Sequence, residues 1–413
     1  MVNLLSPYRV LDLSDETGLI ASKVLSDLGA EVLMVEPPAG NPARKIGPFL
    51  NDIPGVEHSL FWQAYNTNKK SITLNLEDHE GRKIFRALIK TTDFIIESFP
   101  PGSMANWGLD YPSLADINNR LIMASVTPFG QTGPYRDFKS SDLVASAMGG
   151  LISSIGDADR APVRFSLEQT WPQAGLQTAM ALLIAVNQRN RTGKGQYLDI
   201  SLQECMSSIV EHRYHYVGYG EEGTEQRRGP RVPRGGGKSA PLHIWHCKDG
   251  YICWRIFSAA QGPKTQALVD WMKSEGVNGL LNNVDWQALD FENISQEELD
   301  QYEVEFGRFF KIHTKEELQN EAIKRGIMLF PVNTAGEILQ DKQLNYRQYW
   351  VDNFSSTLGR NLTYPGLPAK LAARSLKIQK SAPRLGEHNH DIYINEMGIS
   401  KVKFSTLRRS GVI

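Results

Sequence analysis

The sequence is poor in cysteine, with Cys205, Cys247 and Cys253 the only three among 413 residues. Three such widely spaced thiols make no disulfide framework, and they point to a reducing compartment, with the cytoplasm as the expected location. Long hydrophobic runs are also missing. The longest, AMALLIAV at 179–186, falls far short of the roughly 20 apolar residues a membrane helix needs. Charge of one sign is missing too: 45 basic residues against 46 acidic ones leave a net charge of −1. That balance gives no general reason to expect a nucleic-acid or membrane partner. The opening MVNLLSPYRV has no basic start followed by a long apolar stretch, so no signal peptide is expected.

Two ligand-binding signatures are absent as well. The first strand pattern runs into DLSDETG rather than GxGxxG, which removes local support for a nicotinamide cofactor. RGGGK at 234–238 lacks the GxxxxGK[ST] spacing, so it reads as a mobile lid rather than a P-loop. Internal repeats and low-complexity blocks are not found.

What is present is a strand–helix alternation over the first 200 residues. YRVLDLS (8–14), a helical pattern at 17–30 and EVLMVE (31–36) form a βαβ reading, with Gly29 near the helix end. SITLNL (71–76), a charged helix at 79–91, FIIESF (94–99) and LIMASVTPFG (121–130) continue it. Helices over 142–153 and 172–189 precede a last strand at 197–202. Such alternation predicts a mostly parallel α/β sheet with ligands at the carboxyl ends of its strands. The expected layout is a large domain over 1–205, a helix and Gly/Arg-rich linker at 206–241, and a small domain at 242–326 opening with a hairpin. Residues 327–413 form a linker and the return to the large domain.

Histidines give no metal site. His212 and His215, and His243 and His246 beside Cys247, supply two ligands each where three or four at consistent spacing are needed. Lys69, Lys70, Arg44 and Lys139 are basic residues at loop positions that could together meet a phosphorylated ligand. The segment PVRFSLEQTWPQAG (162–175) runs from an extended stretch into a helix start, a natural place for an anion or a reactive carboxylate. Trp171 stands there, followed by Pro172 in the first turn; Glu168 lies three residues upstream as a candidate partner of Arg164.

Several stretches together resemble one known family. VLDLS, SDLGAEVLMVEPP, NTNKKSITLNL, IIESFPPG, SVTPFGQTGPY, RNRTGKGQYLDISLQE, CKDGYI and LGEHNHDIYINEMGIS, in this order, are similar to segments of the family III CoA-transferases. The resemblance spans about residue 9 to Ile413. It implies a Rossmann-like large domain built from both chain termini, a smaller α+β domain, and an interlocked dimer. It also implies no permanently bound cofactor, with coenzyme A as substrate and product.

In that family an aspartate at this helix start attacks the acyl-CoA thioester, giving an acyl-aspartyl anhydride and then an aspartyl-CoA thioester. Counting from Pro162 through Arg164 to Gly175 puts the aspartate position on Trp171. The related racemases also need a histidine just before Asp142, where Ser141 stands. Leu74, Phe99, Gly102 and Lys139 match CoA-contacting positions of the family, whereas Pro37 and Asn106 replace basic residues and Ser98 replaces an asparagine. Gly235, Gly236 and Gly237 resemble the loop that covers the active site in the formyl-CoA enzymes.

The resemblance therefore implies an aspartate-lacking subunit of a heteromeric member, partnered by a paralogue that carries the aspartate. Such a complex moves CoA from an acyl-CoA such as succinyl-CoA to a carboxylic acid such as benzylsuccinate. Two alternatives stand beside it: a self-sufficient homodimer using Glu168, and a non-enzymatic CoA-binding protein on the same fold.

Overall fold

The computed structural model describes residues 4–157, 160–211, 215, 218, 229, 231, 239–367, 369–370 and 378–413. The chain divides into two units. The larger comprises residues 1–151, 165–211 and 345–413, and the smaller comprises 152–164 and 212–344.

The larger unit is built on a six-stranded, all-parallel sheet. Its first half contains β1 (Arg9–Asp12), α1 (Leu19–Asp27), β2 (Glu31–Glu36), α2 (Leu60–Tyr65), β3 (Lys70–Thr73) and α3 (His79–Ile89). Then follow β4 (Phe94–Glu97), α4 (Ser103–Asn106), α5 (Tyr111–Ala115), β5 (Ile122–Thr127), α6 (Asp142–Met148), α7 (Thr170–Thr192), β6 (Gln196–Ser201) and α8 (Leu202–Ile209). The strand order is β3-β2-β1-β4-β5-β6, with Val10 in register with Val32 on one side and Phe94 on the other. The order reverses between β1 and β4, and the crevice at their carboxyl ends is where such sheets take ligands.

The inner strands β1, β2, β4 and β5 are buried nearly throughout because both faces are covered, whereas edge strand β6 alternates. Within β1, Val10 faces a core with Leu25 of α1 and Ala174, Leu182 and Val186 of α7. Its neighbour Leu11 faces the opposite core with Phe85 and Leu88 of α3 and Leu407 from the chain end. Gly175 lets α1 approach α7 closely: a Cβ there would lie 2.7 Å from the Cβ of Ile20.

The chain end closes the β3 edge. The Thr73 N–H donates to Asn389 Oδ1 at 2.8 Å, the Tyr393 hydroxyl to the Thr73 carbonyl at 2.7 Å, and the Asn75 N–H to the Val412 carbonyl at 2.8 Å. An edge that would otherwise present unpaired amides is thereby covered. Both chain ends thus contribute to this unit.

The smaller unit holds a three-stranded antiparallel sheet of β7 (Ile244–Cys247), β8 (Gly250–Cys253) and β9 (Phe330–Val332). Helices Gly262–Ser274, Gln296–Ile312 and Lys315–Arg325 pack with it around Trp245, Trp254, Trp271, Trp286, Phe306 and Phe310. The sequence places the end of this unit at residue 326. The structure places it at 344, because β9 pairs with β8 and belongs to the small sheet. The return is a hairpin of β10 (Trp350–Ser355) and β11 (Arg360–Pro365) in the larger unit.

All three cysteines are free thiols, with Cys253 exposed. Among the described residues, no helix is long and apolar enough to cross a membrane.

Candidate active site at the start of α7

The helix that the sequence starts at Pro172 begins at Thr170, so Trp171 lies inside its first turn. Trp171 is only 6% exposed. Its ring stands edge-on to two aromatic rings one turn apart on α2: Phe61 at 5.3 Å and Tyr65 at 5.1 Å. Edge-to-face contacts of this kind stabilise by about 0.5–1.5 kcal/mol each beyond burial. The indole N–H donates to Glu168 Oε2 at 2.5 Å. Glu168 thus has the Trp171 indole as its hydrogen-bond partner, in place of the Arg164 pairing expected from sequence.

The electrostatics of this corner are acidic. Burial, then Asp15 and Glu168, raise the Glu16 carboxyl above its ordinary pKa. Burial and Glu168 also raise the Tyr65 phenol.

The helix start already holds an anion of its own. Asp142 Oδ1 accepts the N–H groups of Gln169 and Thr170 at 2.8 Å each, and the Thr170 hydroxyl at 2.8 Å. Pro172 has no N–H, so the first-turn amide left for an incoming anion is at most that of Trp171. Sequence reading placed Asp142 only as the neighbour of Ser141; its role as the cap of another helix comes from the fold. An indole has no lone pair free to attack a thioester, so Trp171 itself offers packing and a donor but no nucleophile.

The basic residues expected at loop positions are mostly structural. Arg44 is fully buried: it donates to both oxygens of Glu36 at 2.6 and 2.8 Å, pairs with Glu57 at 3.2 Å, and lies 3.8 Å over the Trp62 ring. Lys69 is buried with its Nζ 2.6 Å from Ser22 Oγ, 2.9 Å from Asn66 Oδ1 and 3.5 Å from Asp12. Lys70 pairs with Glu31. Only Lys139 is exposed and forms no ion pair among the described residues. Arg231, from the Gly/Arg-rich stretch, pairs with Asp300 at 3.0 Å and Glu303 at 2.7 Å. Gly235, Gly236, Gly237, Arg227, Arg234 and His212 lie outside the described residues.

The other candidates follow the carboxyl ends of β4 and β3. Phe99 and Gly102 share the turn that follows β4, where Gly102 has a φ of +87° that favours glycine. The Phe99 ring meets Trp107 edge-on at 5.0 Å and packs against the core that contains Leu74. Leu74 is 2% exposed, and its N–H donates to the Glu36 carbonyl at 2.7 Å. Its side chain therefore serves the core.

The family profile described as CoA-transferase family III matches residues 5–389. The chain belongs to that family. It is 33% identical over 99% of its length, and 98% of the relative's, to the BbsE subunit of succinyl-CoA:(R)-benzylsuccinate CoA-transferase from Thauera aromatica. It is 30% identical to succinyl-CoA–D-citramalate CoA-transferase from Chloroflexus aurantiacus, covering 99% of this chain and 98% of that one. Among solved structures, a CaiB/BaiF family protein from Brucella suis superposes with a TM-score of 0.79 at 26% identity, covering 96% of this chain and all of that one (100%).

Family membership gives the α7 corner its meaning. The corner consists of an exposed approach without strand structure, a helix start capped by Asp142, and the rings of Phe61 and Tyr65.

Proposed function

We propose that this chain is the subunit without a nucleophile in a heteromeric family III CoA-transferase, acting with a paralogue that supplies the aspartate. The complex moves CoA from an acyl-CoA such as succinyl-CoA to a carboxylic acid such as benzylsuccinate, and coenzyme A is substrate and product rather than a resident cofactor. The observation that carries this reading is Trp171, buried and tied to Glu168 at the place where the attacking carboxylate belongs. A carboxylate could form the mixed anhydride and then the thioester; an indole forms neither.

The need for a partner has its own support. One face of α7 presents Leu176, Met180 and Ile184, successive turns of the helix, at 53%, 57% and 61% exposure. Leu143, Val144 and Met148 of α6 are exposed as well. Exposed apolar surface gathered on helix faces in this way fits association with another chain, in keeping with an interlocked dimer. Phe99, Gly102 and Lys139 are assigned to the CoA-facing side of the chain, Leu74 to the core behind it, and Gly235–Gly237 to the loop over the substrate.

Reconstitution tests the reading. Purified alone, the chain should show no CoA transfer from succinyl-CoA to benzylsuccinate; mixed with the aspartate-bearing paralogue it should restore transfer. Turnover by this chain alone would overturn the assignment.

A further inference from the structure

The turn after β4 has no cation of its own. Residues 97–107, ESFPPGSMANW, contain neither Lys nor Arg, and the loop after β1 contributes Asp15 and Glu16. A guanidinium nevertheless lies on this turn, brought from the loop after β5. Arg136 Nη2 stands 3.1 Å from where a Cβ on residue 102 would be, tighter than an ordinary contact. Gly102, with its φ of +87°, leaves the space beside which the guanidinium rests.

The guanidinium is held in place but little used. Its loop is fixed by the Gln131 N–H, which donates to Asp199 at 3.0 Å. The rings of Phe129, Tyr135 and Phe138 also pack on one another, with centroids 6.0, 6.4 and 5.1 Å apart. The Arg136 N–H donates to the Gly133 carbonyl at 3.3 Å, closing a turn. Among the described residues, the carboxylate paired with Arg136 is that of its neighbour Asp137, 3.5 Å from Nε and 80% exposed. A solvated pair of this kind contributes little. Nε itself is buried and has no hydrogen-bond partner. The carboxylates at the neighbouring strand ends are taken by neutral donors: Glu97 by the Phe99 N–H, Asp15 by the Ser98 hydroxyl and Asp199 by the Gln131 N–H.

We propose that Arg136 is a phosphate-binding residue of the CoA site, its guanidinium presented beside Gly102 to a phosphate of the CoA nucleotide. This inference rests on the reading of the chain as a CoA-binding subunit, and it names a residue that supplies the charge. The nucleotide end of CoA carries a diphosphate and a ribose phosphate, and a planar fork of N–H donors meets phosphate oxygens with more than one bond at a time. A phosphate oxygen within reach of Nε satisfies a buried donor that the chain leaves unmet. An arginine already fixed by its loop also loses less freedom on binding. The place is the crevice at the carboxyl ends of the strands, where sheets of this type take ligands.

Calorimetric titration of the assembled complex, with the substitution in this chain alone, tests the assignment. Arg136→Ala should weaken CoA binding at this chain's site by about tenfold or more. It should leave unchanged the binding of pantetheine, which lacks the nucleotide. Arg136→Lys, which keeps the charge but not the fork, should recover part of the loss. Affinities for CoA and for inorganic pyrophosphate in Arg136→Ala equal to those of the unsubstituted complex overturn the proposal. So does a loss of pantetheine binding equal to the loss of CoA binding, which marks a merely structural effect. If Arg136→Ala leaves CoA binding unchanged but weakens pyrophosphate binding, the CoA reading of this chain fails and the anion site at the turn stands.

Discussion

Trp171 donates its indole N–H to the Glu168 carboxylate at 2.5 Å, across the first turn of α7. The bond ties a carboxylate beside the helix start to the residue that the family resemblance sets against the nucleophile. The carboxylate orients an indole, and it belongs to an exposed segment ahead of the helix.

Glu168→Gln should leave CoA transfer by the assembled complex within about twofold of the unsubstituted rate, because no bond to substrate is lost. It should also bring the Tyr65 phenol and the Glu16 carboxyl back toward their ordinary ranges, since Glu168 contributes to raising both. A phenol titration followed by ultraviolet absorbance reads the first. A fall in rate of about a hundredfold or more would instead mark Glu168 as a reacting group.

Trp171 is expected to matter for stability. Removing the ring in Trp171→Ala empties the space between Phe61 and Tyr65 and should cost about 3–5 kcal/mol. Trp171→Phe keeps an edge-on ring and loses the bond to Glu168, for a cost of about 1 kcal/mol. Urea unfolding of the two variants gives both figures.

Asp142 caps α7 from another helix. Asp142→Ala removes an acceptor for three donors and should destabilise by about 1–2 kcal/mol, whereas Asp142→Asn retains one acceptor oxygen and should cost less. Equal stability of all three proteins would show that the cap is not needed.

A pH dependence follows from Lys69. Burial lowers its amine from 10.5 to about 8, although Asp12 acts in the opposite direction. Between those values the unfolded chain holds the proton and the folded chain does not, so stability should rise as pH climbs from about 8 to about 10.5. The same contribution is lost as pH falls through the folded value. Lys69→Met should flatten this part of the stability profile, measured by urea midpoints at stepped pH.

The parallel sheet is legible because its inner strands are largely apolar on both faces: EVLMVE is β2 without a shift, and FIIE is β4. Trp171 was legible as the odd residue at a helix start, since the counting from Pro162 to Gly175 does not need coordinates. The fates of Arg44 and Lys69 were not. Their partners Glu36 and Asp12 sit at strand ends 8 and 57 residues upstream, and nothing in the pattern around either cation marks it as buried. Asp142 escaped for the same reason, because it caps a helix 28 residues further on. β9 was read as part of a linker because three residues, FPV, carry too little pattern to show pairing with β8.

The most direct test asks which chain carries the covalent intermediate. The complex is incubated with succinyl-CoA without acceptor acid, denatured, and weighed chain by chain by mass spectrometry. The account predicts a CoA thioester on the aspartate-bearing partner and none on this chain. A CoA adduct on this chain, at Glu168 or at any other residue, would contradict it.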